Sequence, residues 1–168
     1  QVRFFVDGEP VATDFTFPFQ YVRELPFGSA GSGLVLGATA IDVQGLEARA
    51  SDVRVSIVRD EEPPLLTIEE PAAFSQVIEG ATLSMRAEAH DNVQVSSVSF
   101  EWKVKTEEGV PQPERGGMVT DLEAPYRAFA FIEPDSENDS IEIIVTATDN
   151  SNNTTTETVS VSVANDKP

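Results

Sequence analysis

The chain has 168 residues, 40% of them hydrophobic, and 29 acidic against 11 basic residues leave a formal charge of −18. A surface this acidic repels phosphate backbones and anionic headgroups, which argues against nucleic-acid partners and membrane insertion and favours cations, calcium first among them. No cysteine is present, so disulfides, thiolate metal sites and cysteine nucleophiles are excluded, and no apolar run reaches the roughly 20 residues of a membrane-spanning helix.

No basic leader with an apolar stretch opens the chain at Gln1, so the expectation is a piece of a longer secreted protein whose signal lies outside it. In chain order, Val2, Phe4 and Val6 begin a first strand, and Asp7-Gly8 follows as a turn. Residues 28–33 are rich in glycine. They lack the lysine and following helix of a phosphate loop, which leaves a flexible connection between strands. Leu34, Leu36, Ala38 and Ala40 alternate as a strand, and Val53, Val55 and Ile57 as another. Residues 59–64, charged and ending in two prolines, read as a stiff linker that predicts two units arranged end to end.

Beyond the linker, residues 65–69 form a strand ended by Pro71. Leu83, Met85, Ala87 and Ala89 alternate with polar residues, as a half-buried antiparallel strand does. Val98, Phe100, Trp102 and Val104 make the third strand, with Trp102 expected in the core. A charged, proline-containing insertion at 103–117 precedes a short fourth strand at 119–121. The fifth spans 126–132, with its inward face left open by the aromatic spacing. Ile141, Ile143, Val145 and Ala147 mark the sixth, and 156–164 the last.

The chain is similar to itself. Thr13-Asp14-Phe15-Thr16-Phe17-Pro18-Phe19 matches Thr120-Asp121-Leu122-Glu123-Ala124-Pro125-Tyr126 at an offset of 107, and Thr39-Ala40-Ile41-Asp42 matches Thr146-Ala147-Thr148-Asp149 at the same offset. Residues 2–6 answer to 98–102 at an offset of 96, whereas 63–97 have no earlier counterpart. The expected fold is all-β: tandem immunoglobulin-like antiparallel sandwiches. Residues 61–168 form a complete repeat, strands A to G. Residues 1–60 form a partial one, strands C to G, that lacks its first two strands.

Asp91-Asn92-Val93-Gln94-Val95-Ser96-Ser97-Val98-Ser99-Phe100 resembles the D-N-V-G-V-x-x-V-x-F segment of bacterial Ig-like repeats, and Val6-Asp7-Gly8 the V-D-G that follows it. Residues 14–19 and 121–126 are similar to the family's T-x-x-P-Y turn, and 42–45 and 149–153 to its A-x-D-x-x-G-N hairpin. The resemblance implies tandem arrays in large secreted or cell-surface bacterial proteins, as adhesin stalks, spacers, or accessory modules of polysaccharide-degrading enzymes. The expected location is therefore extracellular. The expected partners are neighbouring Ig-like repeats of the same polypeptide, and another protein or a glycan at a surface.

No catalytic set emerges. His90 is the single histidine, so a triad or a histidine-rich metal site lacks its partners, and a non-catalytic role is expected. The better candidate is Ca²⁺, which takes six to eight oxygens from flexible loops. Topology gathers the loops after strands two, four and six at the end where the chain enters. The candidate ligands are thus Asp60, Glu61 and Glu62 of the linker, with Asp91, Asn92, Asp121, Asp149 and Asn150. Against this stands the ordinary use of Asp and Asn in turns, where their side chains bond the local backbone.

Overall fold

A computed structural model describes residues 1–134, 136 and 138–165. Among them every regular element is a strand, and the chain divides into two compact units, Gln1–Asp60 and Glu61–Pro168.

The second unit begins with β6 (Leu65–Glu70), β7 (Gln76–Ile78) and β8 (Thr82–His90). β9 (Val95–Lys105), β10 (Pro111–Asp121) and β11 (Tyr126–Phe131) follow, then β12 (Ser140–Asp149) and β13 (Thr154–Ala164). One sheet runs β10-β9-β12-β13-β7 and the other β11-β8-β6. That partition, with the first, second and fifth long strands in one layer and the third, fourth, sixth and seventh in the other, is the immunoglobulin-like sandwich. All pairings are antiparallel except β13 with β7, which places Val163 beside Val77.

Alternation carries the core. Leu83, Met85 and Ala87 of β8, with Tyr126, Ala128 and Ala130 of β11, form the inner face of the smaller sheet. Val98 and Phe100 of β9, Ile141 to Ala147 at every second position of β12, and Val159, Val161 and Val163 of β13 form the facing one. The open question at 126–132 resolves in favour of the small residues. Ala128 and Ala130 point inward opposite Met85 and Leu83, which supply the volume, and Phe129 and Phe131 face solvent. The buried central aromatic is Phe100, fully inaccessible, whereas Trp102 is only half-buried at the rim of the cluster.

The insertion at 103–117 is not all loop. β9 runs on to Lys105 and β10 begins at Pro111, with a register irregularity between Gln112 and Gly117. β10 is the outer strand of its sheet, where prolines leave no ladder bond unmade.

The first unit is a single sheet made of β1 (Val2–Val6), β2 (Glu9–Asp14), β3 (Gly33–Ile41), β4 (Glu47–Arg49) and β5 (Val53–Ser56). Asp7 and Gly8, both at positive φ, close the β1–β2 hairpin; that backbone suits glycine and is tolerated by aspartate. The order is β2-β1-β3-β4, with β5 also on β3. The registers repeat those of the larger sheet. Val2, Phe4 and Val6 pair with Ala40, Ala38 and Leu36, as Val98, Phe100 and Trp102 pair with Ala147, Val145 and Ile143. Val53 faces Leu36 as Val159 faces Ile143.

Five strands are present in residues 1–60, but not the five expected. β4 and β5 divide the last strand between them, and no strand forms between Asp14 and Gly33, where the counterpart of β11 would fall. β11 exists by pairing with β8, and residues 1–60 contain no equivalent of β8 for such a strand to join.

Candidate metal site

The short turn between β8 and β9 is organised by Asp91, whose Oδ2 accepts from the backbone N–H groups of Val93 and Gln94 at 2.8 and 2.9 Å. Its other oxygen, Oδ1, is buried and meets no hydrogen-bond donor among the described residues. The turn between β12 and β13 is organised in the same way by Asp149. Oδ1 accepts from Ser151 and Asn153 N–H at 2.7 and 2.8 Å, and Oδ2 from the Asn153 side-chain amide at 2.7 Å.

Asp149 is only 1% exposed. Burial is the largest influence on its carboxyl and acts to raise its pKa. The side-chain and backbone donors of Asn153, with those of Ser151 and Asn152, together outweigh it, so the group titrates below the usual carboxylate range. Asp149 therefore stays ionised at neutral pH.

One carboxylate oxygen each of Asp91 and Asp149 lie within 4.8 Å of one another. At that separation two carboxylates repel by about 3 kcal/mol at an effective dielectric near 20. Neighbouring groups tie the turns together. Asn150 bonds Gln94 through its backbone N–H at 3.2 Å and its side-chain amide at 2.8 Å, and Ser96 Oγ donates to the carbonyls of Thr148 and Asp149. Asn153 Nδ2 also reaches the carbonyl of Glu62 at 3.4 Å, and Thr155 Oγ1 donates to that of Pro64, so the strand-entry segment is held against the β12–β13 turn.

The candidate ligands thus separate. Asp91 and Asp149 come together within the second unit, and Asp60 belongs to the first. The Glu61 and Glu62 side chains are exposed and outside the carboxylate cluster, and Asn92 is exposed. Asn150 spends its side chain on Gln94. Asp121 is also outside: Oδ1 accepts from Glu123 N–H at 3.3 Å and Oδ2 from Arg127 N–H at 2.9 Å, an arrangement that closes its own turn. Asp14 closes the corresponding turn of the first unit through Thr16 and Gln20 N–H, both at 3.0 Å, and those two donors hold its carboxyl below the ordinary range. Asp42 repeats the Asp149 turn, accepting from Gln44 and Leu46 N–H, both at 2.8 Å. His90 is an exposed strand-end residue, with Nε2 2.8 Å from Glu88 Oε1.

No protein-family model matches the sequence, and no curated protein matches it. Among solved structures the chain is similar to one described as fibronectin(III)-like modules of Clostridium thermocellum CbhA. The identity is 22% over 98% of this chain and 77% of that one, with a TM-score of 0.47.

Proposed function

We propose that the chain is a non-catalytic structural segment of a large secreted or cell-surface bacterial protein. On this reading it is built from two tandem immunoglobulin-like repeats, the first partial, and its second unit is stiffened by one bound Ca²⁺ at Asp91 and Asp149. The repeat reading is supported by the shared sheet registers and by two pairs of equivalent turns, Asp14 with Asp121 and Asp42 with Asp149. The calcium reading rests on one observation. Asp91 has a buried oxygen without a donor among the described residues, and one of its carboxylate oxygens lies within 4.8 Å of one of the ionised, buried Asp149. An uncompensated buried carboxylate oxygen beside a like charge is costly, and a hard, oxygen-seeking cation relieves both problems. An all-carboxylate oxygen pair suits calcium better than zinc, which favours nitrogen and sulfur.

The test is isothermal titration of the metal-free chain with CaCl₂, together with melting curves. Saturable binding that raises the melting temperature, and that Asp91→Asn abolishes, is the expected outcome. No heat and no shift at millimolar calcium would overturn the metal reading and leave the structural one standing.

A second reading, an accessory module that binds a glycan or a protein, is favoured by Phe129 and Phe131. These are 60% and 57% exposed, side by side on the outer face of β11. Binding of the isolated chain on a glycan array, lost in the Phe129→Ala, Phe131→Ala double variant, would establish it over the spacer role.

A further inference from the structure

The outer strands of the second unit are guarded unequally. β10 carries Pro111 and Pro113 and a break in register, and β6 ends in Glu69-Glu70 before Pro71. Prolines, acidic residues and bulges of this kind keep a sheet edge from recruiting another strand. β11, the outer strand on the other side of the smaller sheet, reads Tyr126-Arg127-Ala128-Phe129-Ala130-Phe131 and has none of them.

The open side of β11 is marked by Arg127, whose backbone N–H points away from β8 to reach Asp121 Oδ2 at 2.9 Å. Backbone groups alternate along a strand, so the N–H and C=O of Phe129 and Phe131 face that same side. The side chains of the three residues are all exposed on the outer face. Their neighbours on β8 are Arg86, Ser84 and Thr82, and the last two are too short to cover the rings. Arg86 is engaged by Glu69 and Glu70 at 3.0 and 3.3 Å, whereas Arg127 has no ion-pair partner among the described residues.

This row of side chains complements itself when reversed. In an antiparallel pair centred on Phe129, that ring stands opposite its own copy and each Arg127 stands opposite a Phe131. The first is an aromatic cross-strand pair and the second a cation–π contact, both stabilising. A parallel pair would instead set Arg127 against Arg127, like charges directly opposed. The net charge of −18 opposes association of two copies, yet β11 itself holds no acidic residue.

We propose that β11 pairs antiparallel with β11 of a second copy of this chain, about a two-fold axis at Phe129. The pairing joins the three-stranded sheets of both copies into one layer. Across the axis the two Phe129 residues exchange N–H to C=O bonds, and each Phe131 N–H donates to an Arg127 carbonyl. Such an interface uses the same patch on both copies, so it closes at a dimer and consumes both free edges. It is independent of the calcium reading and gives the two rings an occupant other than a glycan.

The test is sedimentation equilibrium of the chain from about 10 μM to about 1 mM, spanning weak to moderate affinities. Ionic strength is held at about 0.15 M, so that repulsion is screened beyond about 8 Å. A monomer–dimer equilibrium is expected, with amide exchange at Phe129 and Phe131 slowing as the dimer fraction rises. Phe129→Lys, which opposes two ammonium groups at the axis, weakens the dimer at least about 10-fold. Phe131→Glu, which offers each Arg127 a carboxylate, keeps the dimer constant within about threefold. The melting temperatures of both variants at the lowest concentration match the wild type, because both positions face solvent in the monomer. A monomer at every concentration overturns the proposal, as does exchange at Phe129 and Phe131 that ignores concentration. A dimer that survives Phe129→Lys places the contact on another surface and overturns it too. Loss of the dimer in Phe131→Glu means that the rings adhere without the antiparallel register, which also overturns it. Calcium titration of the same samples reads Asp91 and Asp149 alone, so failure of the metal reading is seen separately.

Discussion

Gly117 lies against the six-membered ring of the Trp102 indole, so closely that a Cβ at Gly117 would come within 2.4 Å of Trp102 Cζ2. At Gly116 a Cβ would meet the Trp102 carbonyl oxygen at 2.7 Å, and backbone yields less readily than a side chain. The two glycines let β10 return onto β9 past a bulky residue at the rim of the core. Gly117→Ala is therefore expected to destabilise the second unit by about 1–3 kcal/mol, the range for overpacking. Trp102 is the only tryptophan, so its fluorescence in a urea titration reads this directly. A lowered midpoint and a red-shifted native emission are expected, and an unchanged midpoint would refute the packing account.

Phe100 and Phe4 occupy the same register position in two sheets with different surroundings. Phe100 is fully buried between two layers, and its truncation to alanine is expected to cost about 3–5 kcal/mol. Phe4 faces one layer and the ring of Tyr21, and Phe4→Ala should cost less than half as much. Chemical denaturation of the two variants side by side checks the ratio. Equal losses would mean that the first unit packs its core as the second does.

Most of the second unit was legible because each long strand has one wet and one dry face, and alternation records this residue by residue. The three residues of β7 carry no such record; they pair because β13 offers a parallel edge. Residues 111–118 were obscured by prolines and glycines, which a pattern reads as loop and an edge strand tolerates. At the candidate site, the place of Asp91 and Asp149 in turns was legible, but the division of their oxygens was not. Whether an aspartate spends both oxygens on its own turn, as Asp121 does, or keeps one aside, as Asp91 does, depends on backbone geometry that composition does not encode.

That division yields a contrast between two aspartates. Asp121→Ala removes the acceptors for Glu123 and Arg127 N–H at the entry to β11 and should cost about 1–2 kcal/mol, comparable to losing a helix cap. The Tyr126 phenol, raised chiefly by burial and further by Asp121, should titrate at lower pH in this variant. Calcium affinity should be unchanged, because Asp121 lies outside the cluster. Ultraviolet titration of the phenol and calorimetry with CaCl₂ check the two halves separately. Loss of calcium binding in Asp121→Ala would place it among the ligands after all.

Asp149 is expected to contribute to the acid transition of the second unit. Its carboxyl is lowered in the folded chain, so the unfolded state binds the proton more readily than the folded state does. The stabilisation is therefore fully present above the unfolded value, about 3.9, and is lost as pH falls through the lower folded value. Asp149→Asn keeps an oxygen for Ser151 and Asn153 N–H but turns an amide toward the Asn153 amide, setting donor against donor. The variant should be less stable than the wild type at pH 7 and should lose less between pH 5 and pH 2, so the two stability curves converge in acid. Melting temperatures across that range, with and without calcium, give the measurement. Curves that stay parallel would show that the Asp149 turn contributes nothing to the acid transition. Calcium bound at the ionised form would lower the titration further, so its addition should move the wild-type acid transition to lower pH and leave that of Asp149→Asn in place.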